Sequence, residues 1–63
     1  MSIGRNVRRI RKEKGFSIMD LKEKTGLSKS TISDLENDKS SPTIDTLQKI
    51  ANALGVDIKE FFE

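Results

Sequence analysis

Four polar side chains lie at helical spacing in the middle of the chain: Lys29, Ser30, Ser33 and Asp34. Residues spaced in this way share one face of an α-helix. An ammonium group, two hydroxyls and a carboxylate all form hydrogen bonds, and small serines allow a partner to approach closely. The pattern therefore predicts a helical face that forms hydrogen bonds with a partner molecule.

Catalytic and metal-binding chemistry has little support, because the chain has no histidine and no cysteine. Histidine is the commonest general base, and cysteine supplies the thiolate ligands of zinc sites. No glycine-rich phosphate loop is present either. The carboxylates of Asp34, Glu36 and Asp38 cluster near one predicted helix end. Solvent exposure and one ion pair explain their presence there without a catalytic role. We expect no enzyme activity, no metal, no cofactor and no small-molecule ligand.

The helix that carries the polar face follows a glycine-containing turn. Leu21 and Leu27 flank Gly26, and Ser28 stands where an N-cap is expected. A short turn that contains glycine lets two helices cross steeply, as in a helix-turn-helix. A polar helix presented in this way fits the major groove of duplex DNA, which admits one α-helix. The alternative is an ordinary helical hairpin within a bundle.

Apolar residues at helical spacing, divided by glycines and one proline, predict an all-α, compact five-helix bundle. No segment alternates over the length of a strand. Ile44 is expected on the buried face of the fourth helix, with Leu47. The predicted helices cover residues 2–14, 18–25, 29–37 and 44–54, with a short fifth helix that opens after residue 57.

Polar residues at the predicted helix starts act as N-caps. Ser17 with Asp20, and Asp57 with Glu60, stand at the spacing of a capping box, in which two side chains satisfy each other's backbone amides. Thr43 is expected to cap the fourth helix.

Positive charge is concentrated at the N-terminus. Residues 1–16 carry six cations and one anion, a net charge of +5, whereas residues 17–63 carry six cations and nine anions, a net charge of −3. A face dense in cations attracts a polyanion. The alternative is a solvated helix face.

The length of 63 residues predicts one domain, residues 1–63, with a small core. No apolar run is long enough for a membrane span, and the N-terminus lacks the apolar segment of a signal peptide. We therefore expect a cytoplasmic location and no contact with a membrane.

The ordered series of motifs resembles the Xre (Cro/C1-type) helix-turn-helix family, which includes the lambdoid phage repressors. The resemblance covers essentially the whole chain. Its main segments are Ile3-Gly4, Val7-Arg8, Arg11, Lys14–Ser17, Gly26–Glu36, Pro42–Ile44, Leu54–Val56 and Glu60–Phe62.

This resemblance implies a lambda repressor-like fold and sequence-specific binding of double-stranded DNA by a transcriptional regulator, a repressor. It makes residues 29–37 the recognition helix, with base readout by Lys29, Ser30, Ser33 and Asp34. It also implies an ion pair between Arg11 and Glu36. The positions that match contacts to the DNA backbone are Ser17, Thr31, Asn37, Lys39, Ser40 and Thr43.

Two further expectations concern partners. Repressors gain affinity by binding two half-sites, so a homodimer is expected at least on DNA, with Val56, Ile58 and Phe62 as candidate contacts. The alternative is that these side chains close the core. Ile18 and Lys22 depart from the family pattern, and they give some weight to a second function, a protein-interaction module such as an antitoxin or anti-repressor.

Overall fold

The computed structural model describes residues 1–63, and all of its regular elements are helices. This confirms the predicted all-α class. The elements, in chain order, are α1 (Ile3–Glu13), α2 (Ile18–Thr25), α3 (Lys29–Glu36), α4 (Ile44–Leu54) and one 3₁₀ helix (Ile58–Phe62). None of the helices is both long enough and apolar enough to pass through a bilayer.

The prediction of five α-helices is wrong at the C-terminal element, which is a 3₁₀ helix. The Asp57 carboxylate accepts a hydrogen bond from the Lys59 amide, and the Glu60 amide donates to the Asp57 carbonyl. The expected capping box between Asp57 and Glu60 therefore does not form. Bonds to residues two and three positions away close a tighter turn than an α-helix, and five residues are a typical length for such a turn.

Each α-helix begins after a residue whose side-chain hydroxyl accepts a hydrogen bond from the backbone amide three residues later. These N-caps are Ser2, Ser17, Ser28 and Thr43. Such a cap typically contributes about 1 kcal/mol, because it satisfies an amide that has no partner inside the helix. Three predicted helix ends differ by one residue, since Ser2 and Lys14 are caps outside α1 and Asn37 is a cap outside α3.

Ten buried apolar side chains form the core, and every helical element contributes to it. Helix α1 packs against α3 and the 3₁₀ helix, while α2 packs against α3 and α4. The members of the core are Val7, Ile10, Leu21, Ile32, Leu35, Leu47, Ile50, Ala51, Leu54 and Phe61.

Ile44 is not in the core, although its spacing from Leu47 predicts burial. Its side chain is 62% exposed. Ile44 is the first residue of α4, and side chains on a helix lean toward the N-terminus. Its side chain therefore extends past the end of the core instead of into it.

Helices α1 and α3 come together at Gly4. A Cβ atom at this position would collide with the Leu35 carbonyl oxygen and would lie 2.6 Å from Asp38 Oδ1. Only glycine allows this close approach, which fixes the N-terminal half of α1 against the end of α3.

Candidate nucleic-acid interface

The turn between α2 and α3 sets the position of the polar helix. Gly26 ends α2 with a left-handed backbone at φ +76°, and its amide donates to the Lys22 carbonyl. The Thr25 hydroxyl donates to the Leu21 carbonyl and accepts from the Leu27 amide. Leu27 packs against the core. Backbone, side chain and core contacts thus hold the turn in one conformation.

Helix α3 has one buried side and one polar side. Ile32 and Leu35 are buried in the core. The four side chains predicted to read bases lie on the other side, where Lys29, Ser30 and Asp34 are exposed and Ser33 is half-buried. The structure brings these four residues together at the surface of one helix.

The six positions that match DNA-backbone contacts are all exposed. The hydroxyls of Ser17, Thr31 and Thr43 are already oriented by hydrogen bonds within the chain. Ser28 Oγ donates to Thr31 Oγ1 at 2.8 Å, and Thr43 Oγ1 donates to Thr46 Oγ1 at 3.1 Å. Thr31 and Thr46 accept these bonds, so their own hydroxyl protons are available for an external acceptor such as a phosphate oxygen, whereas the Thr43 proton is already donated to Thr46.

Ser28 and Thr46 were not among the predicted site residues, although each holds a partner hydroxyl in place. A sequence signal for them exists. Both pairs, Ser28 with Thr31 and Thr43 with Thr46, have an N-cap hydroxyl followed by a threonine three residues later.

The start of α2 presents a hydroxyl and a carboxylate side by side. The predicted capping box forms here, because Ser17 Oγ accepts from the Asp20 amide at 3.0 Å and the Ser17 amide donates to Asp20 Oδ2 at 2.8 Å. The hydrogen bond from the Ser17 amide, followed by the Ser17 side chain, lowers the pKa of Asp20 from its ordinary value of 3.8. The Ser17 amide is therefore occupied, and its hydroxyl proton is the group left to meet a phosphate.

Arg11 and Glu36 form a buried ion pair between α1 and the end of α3. Arg11 Nε lies 2.7 Å from Glu36 Oε2, and Nη2 lies 3.0 Å from Oε1. Arg11 Nη1 also donates to the Phe16 carbonyl at 2.8 Å. One guanidinium thus connects α1, the turn before α2 and the last residue of α3.

The first three residues of the loop between α3 and α4 are held by hydrogen bonds. The Lys39 amide donates to the Asp34 carbonyl at 2.8 Å, and Asn37 Nδ2 donates to the Ser33 carbonyl at 2.8 Å. Asp38, which has φ +58°, accepts a hydrogen bond at 2.7 Å from the Ser2 hydroxyl. The Lys39 and Asn37 side chains are therefore presented from an ordered loop beside α3.

The Ser2–Asp38 contact was also absent from the sequence-based prediction. The two residues are 36 positions apart, and no local pattern indicates such a contact. It depends on the close approach of α1 to α3 at Gly4.

The candidate dimer contacts differ in exposure. Val56 and Ile58 are half-buried and pack against the core, whereas Phe62 is 39% exposed. The neighbouring Phe61 is fully buried, and Asn6 Nδ2 donates to its carbonyl at 2.9 Å. Phe62 is thus the main apolar surface at this end of the molecule.

Comparison with known proteins supports the resemblance found in the sequence. The chain is 38% identical over 58 residues to the immunity repressor protein of Bacillus phage phi105, and 42% identical over 59 residues to the transcriptional regulator PuuR of Escherichia coli (strain K12). It is 40% identical over 57 residues to the transcriptional regulator SinR of Bacillus subtilis (strain 168). These alignments cover 92%, 94% and 89% of this chain, but only 40%, 32% and 51% of the relatives.

Two solved structures have the same fold. The restriction-modification controller protein C.AhdI from Aeromonas hydrophila superposes with a TM-score of 0.92 at 28% identity, covering 97% of this chain and 92% of that one. SinR, the master regulator for biofilm formation, solved in complex with DNA, superposes with a TM-score of 0.90 at 35% identity. That comparison covers 97% of this chain and 98% of the SinR chain.

The helix-turn-helix family model matches residues 7–61, from the middle of α1 to the end of the core. The match includes the turn at Gly26, the polar helix α3 and the buried Arg11–Glu36 pair. Together with the relatives above, it confirms the Xre-type resemblance. The chain therefore belongs to the helix-turn-helix family.

Proposed function

We propose that this chain is the DNA-binding part of a transcriptional repressor, and that α3 enters the major groove of a specific duplex. The observation that carries the proposal is the polar side of α3, which the turn at Gly26 and the ion pair at Glu36 hold in a fixed position. A fold shared with SinR, a protein solved in complex with DNA, supports it.

The side chains of α3 have different capacities for reading bases. Lys29 lies at the N-terminal end of α3 and is suited to the O6 and N7 acceptors of guanine. Ser30 and Ser33 accept or donate, so they discriminate weakly, and the carboxylate of Asp34 accepts from the amino group of cytosine. With one cationic reader, much of the affinity comes from backbone contacts and DNA shape.

The proposed contacts to the DNA backbone come from elements that precede and follow α3 in the chain. Ser17 lies at the start of α2, while Lys39, Ser40 and Thr43 lie in and after the loop that follows α3. Thr31 and Asn37 lie at the two ends of α3 itself. Side chains placed in this way meet both phosphate strands that border a major groove, which orients the helix in it.

A homodimer on DNA belongs to the same proposal, with Phe62 as its main apolar contact and Val56 and Ile58 beside it. The curated relatives are about two to three times as long as the stretch matched here, so the partners of the whole protein are also part of the proposal.

A cytoplasmic location, a single domain over residues 1–63 and the absence of enzyme activity remain predictions. The relatives are named as repressors and transcriptional regulators.

The protein-interaction module has less support than DNA binding. Its sequence argument depended on Ile18 and Lys22. Ile18 packs against the core and Lys22 is exposed, so neither disturbs the packing of α2 on α3.

The proposed function is tested by selection of bound duplexes from a random-sequence pool, followed by footprinting of the enriched sequence. We expect a short consensus, protection of the major groove over it, and affinity that falls steeply with salt as phosphate-bound counterions are released. Chemical-shift mapping on the selected duplex should perturb residues 29–37. Undisturbed α3 resonances, or a failure to enrich any sequence, would contradict the proposal.

A further inference from the structure

The residues assigned to DNA contact carry little positive charge. Among these ten positions Lys29 and Lys39 are the cations and Asp34 is an anion, which leaves a net charge of +1. A protein that binds a duplex neutralises phosphates with lysine and arginine, and this term dominates affinity. Further cations are therefore expected at the border of the interface.

Helix α1 holds all four arginines of the chain. Two of them have partners, since Arg11 is buried with Glu36 and Arg9 forms an exposed ion pair at 3.3 Å. Arg5 and Arg8 are exposed and form no ion pair within the chain. These two guanidinium groups are free to bind an external anion.

Arg8 lies at the edge of α1 that borders α3. With about 100° per residue, Arg11 and Gly4 lie about 40° and 60° round the helix from the buried Val7, and both contact α3. Arg8 follows on the same side at about 100°, whereas Arg5 lies at about 160°. Arg8 is therefore the unpaired arginine nearest to α3.

The polar side of α3 lies next to this edge. Glu36, the residue of α3 in the buried ion pair, lies about 40° round the helix from the buried Ile32. Ser33 and Asn37 follow on the same side at about 100° and 140°. Because both helices rest on one core, the residues beyond their line of contact share one outer surface: Arg8 on α1, and Ser33 and Asn37 on α3.

A duplex that receives α3 brings phosphates to this surface. The major groove is about 12 Å wide, and an α-helix with its side chains is about 10–12 Å across, so α3 extends from one wall of the groove to the other. The strand that borders the Ser33 and Asn37 side of α3 therefore passes in front of Arg8. A guanidinium group binds phosphate oxygens through paired hydrogen bonds, and it is always charged.

From this placement we propose that Arg8 binds a backbone phosphate of the strand that borders α3 on its Ser33 and Asn37 side. The inference rests on the proposed function, because α3 must occupy the groove. It adds a cation from α1 to the backbone contacts of the other helices. Arg8 contributes affinity without sequence preference, since a phosphate carries no direct information about its base.

The test is a titration of the selected duplex over a range of salt with four forms of the chain. They are the wild type, Arg8→Gln, which removes the proposed contact, Arg8→Lys, which keeps its charge, and Arg9→Gln. The last is the matched control, because Arg9 lies in the same helix about 100° beyond Arg8. Its ion pair is exposed and adds little stability.

We expect Arg8→Gln to weaken binding about tenfold, which is the scale of one hydrogen bond to a charged group. Its salt slope should fall by about 0.9, the value for one phosphate. Arg8→Lys should keep the wild-type salt slope and lose less affinity. Arg9→Gln should change affinity less than about twofold, because salt screens exposed charges that lie further from the duplex. The thermal midpoint of free Arg8→Gln should equal that of the wild type, since Arg8 has no ion-pair partner in the chain.

A second measurement locates the contact. Single phosphates of the selected duplex are replaced by uncharged methylphosphonates, and the wild type and Arg8→Gln are titrated against each duplex. At one phosphate beside the protected major groove, the replacement should weaken binding of the wild type but not of Arg8→Gln, because the variant has already lost that contact. Lys39→Ala should lose its sensitivity at a different phosphate.

Several results would overturn the inference. Equal affinities and salt slopes for Arg8→Gln and Arg9→Gln would do so. A loss of affinity with an unchanged salt slope and a lower thermal midpoint would show instead that Arg8 stabilises the fold. Failure of the wild type to select any duplex would contradict the proposed function itself, whereas wild-type binding that does not depend on Arg8 would contradict only this contact.

Discussion

At the scale of single residues, the buried Arg11–Glu36 pair connects the end of α3 to α1. The side chains are 9% and 4% exposed, and Arg11 also bonds the Phe16 carbonyl. A buried ion pair contributes little net stability, because desolvation offsets attraction. Its value here lies in geometry, since two parallel hydrogen bonds fix the end of α3 against α1.

Replacing Glu36 with Gln should destabilise the protein by about 3–5 kcal/mol, because the Arg11 charge would stay buried without a partner. The matched control is Glu13→Gln, which breaks the exposed Arg9–Glu13 pair and should cost less than about 1 kcal/mol. Urea unfolding followed by circular dichroism measures both. Similar losses in the two variants would show that burial of the Arg11–Glu36 pair has no special effect.

Two exposed lysines should have different effects on DNA binding. On the proposed function, in which Lys29 reads a base edge, Lys29→Ala should weaken binding to the selected duplex by about 1–3 kcal/mol and relax the preference at one base pair. On the same proposal, in which Lys39 contacts a phosphate, Lys39→Ala should weaken binding to all duplexes alike and reduce the salt slope by about one unit. Titrations of selected and scrambled duplexes over a range of salt distinguish them. If the two variants behave alike, the assignment of roles is wrong.

At the scale of elements, hydroxyl caps and glycine turns place the three helix starts that surround the candidate interface. These devices involve residues within about four positions of one another, which is why the sequence predicts them well. The capping box at Ser17 and the caps at Ser28 and Thr43 are all present. The polar side of α3 follows in turn from the spacing of its buried residues, Ile32 and Leu35.

Two of the features that the sequence does not predict depend on how distant segments pack, whereas the bond at Asp57 is a local alternative to the capping box. Ile44 has the correct spacing for the core, but the core ends before reaching it. Asp57 and Glu60 have the spacing of a capping box, yet a bond to the Lys59 amide forms instead. Asp38 meets Ser2 only because α1 and α3 approach closely at Gly4. Helical periodicity carries no information about where a core ends or which distant loop lies opposite a helix.

The cap of α2 should make stability depend on pH in the acid range. The folded pKa of Asp20 lies below its ordinary value of 3.8, so its contribution is present above that pH and is lost as pH falls through the folded pKa. Asp20→Asn should remove this part of the acid dependence, as measured by thermal midpoints between pH 2 and 7. The control is Asp45→Asn. Asp45 is an acidic residue in the first turn of α4 whose side chain accepts no hydrogen bond from the amide of the N-cap Thr43, so this variant should keep the wild-type profile. Identical profiles for Asp20→Asn and the wild type would contradict the role of this cap.

At the scale of the whole molecule, the candidate surfaces lie on different sides of one small core. The structure measures only 26 × 23 × 20 Å. Phe62 lies on the C-terminal 3₁₀ helix, which packs mainly against α1 and α4. Its ring is 39% exposed, and the proposed homodimer uses it as an apolar contact.

If Phe62 forms that contact, binding to two half-sites should depend on their spacing. Half-sites separated by one DNA turn, about 10 base pairs, let a two-fold dimer place both copies of α3 on one side of the duplex. An insertion of five base pairs turns the second half-site to the opposite side and should reduce two-site affinity to that of independent sites. Phe62→Ser should have the same effect on the unmodified duplex and leave affinity for a single half-site unchanged, because its side chain is remote from α3. Gel-shift titrations of one-site and two-site duplexes measure this, and cooperative binding that survives Phe62→Ser would place the dimer contact on another surface.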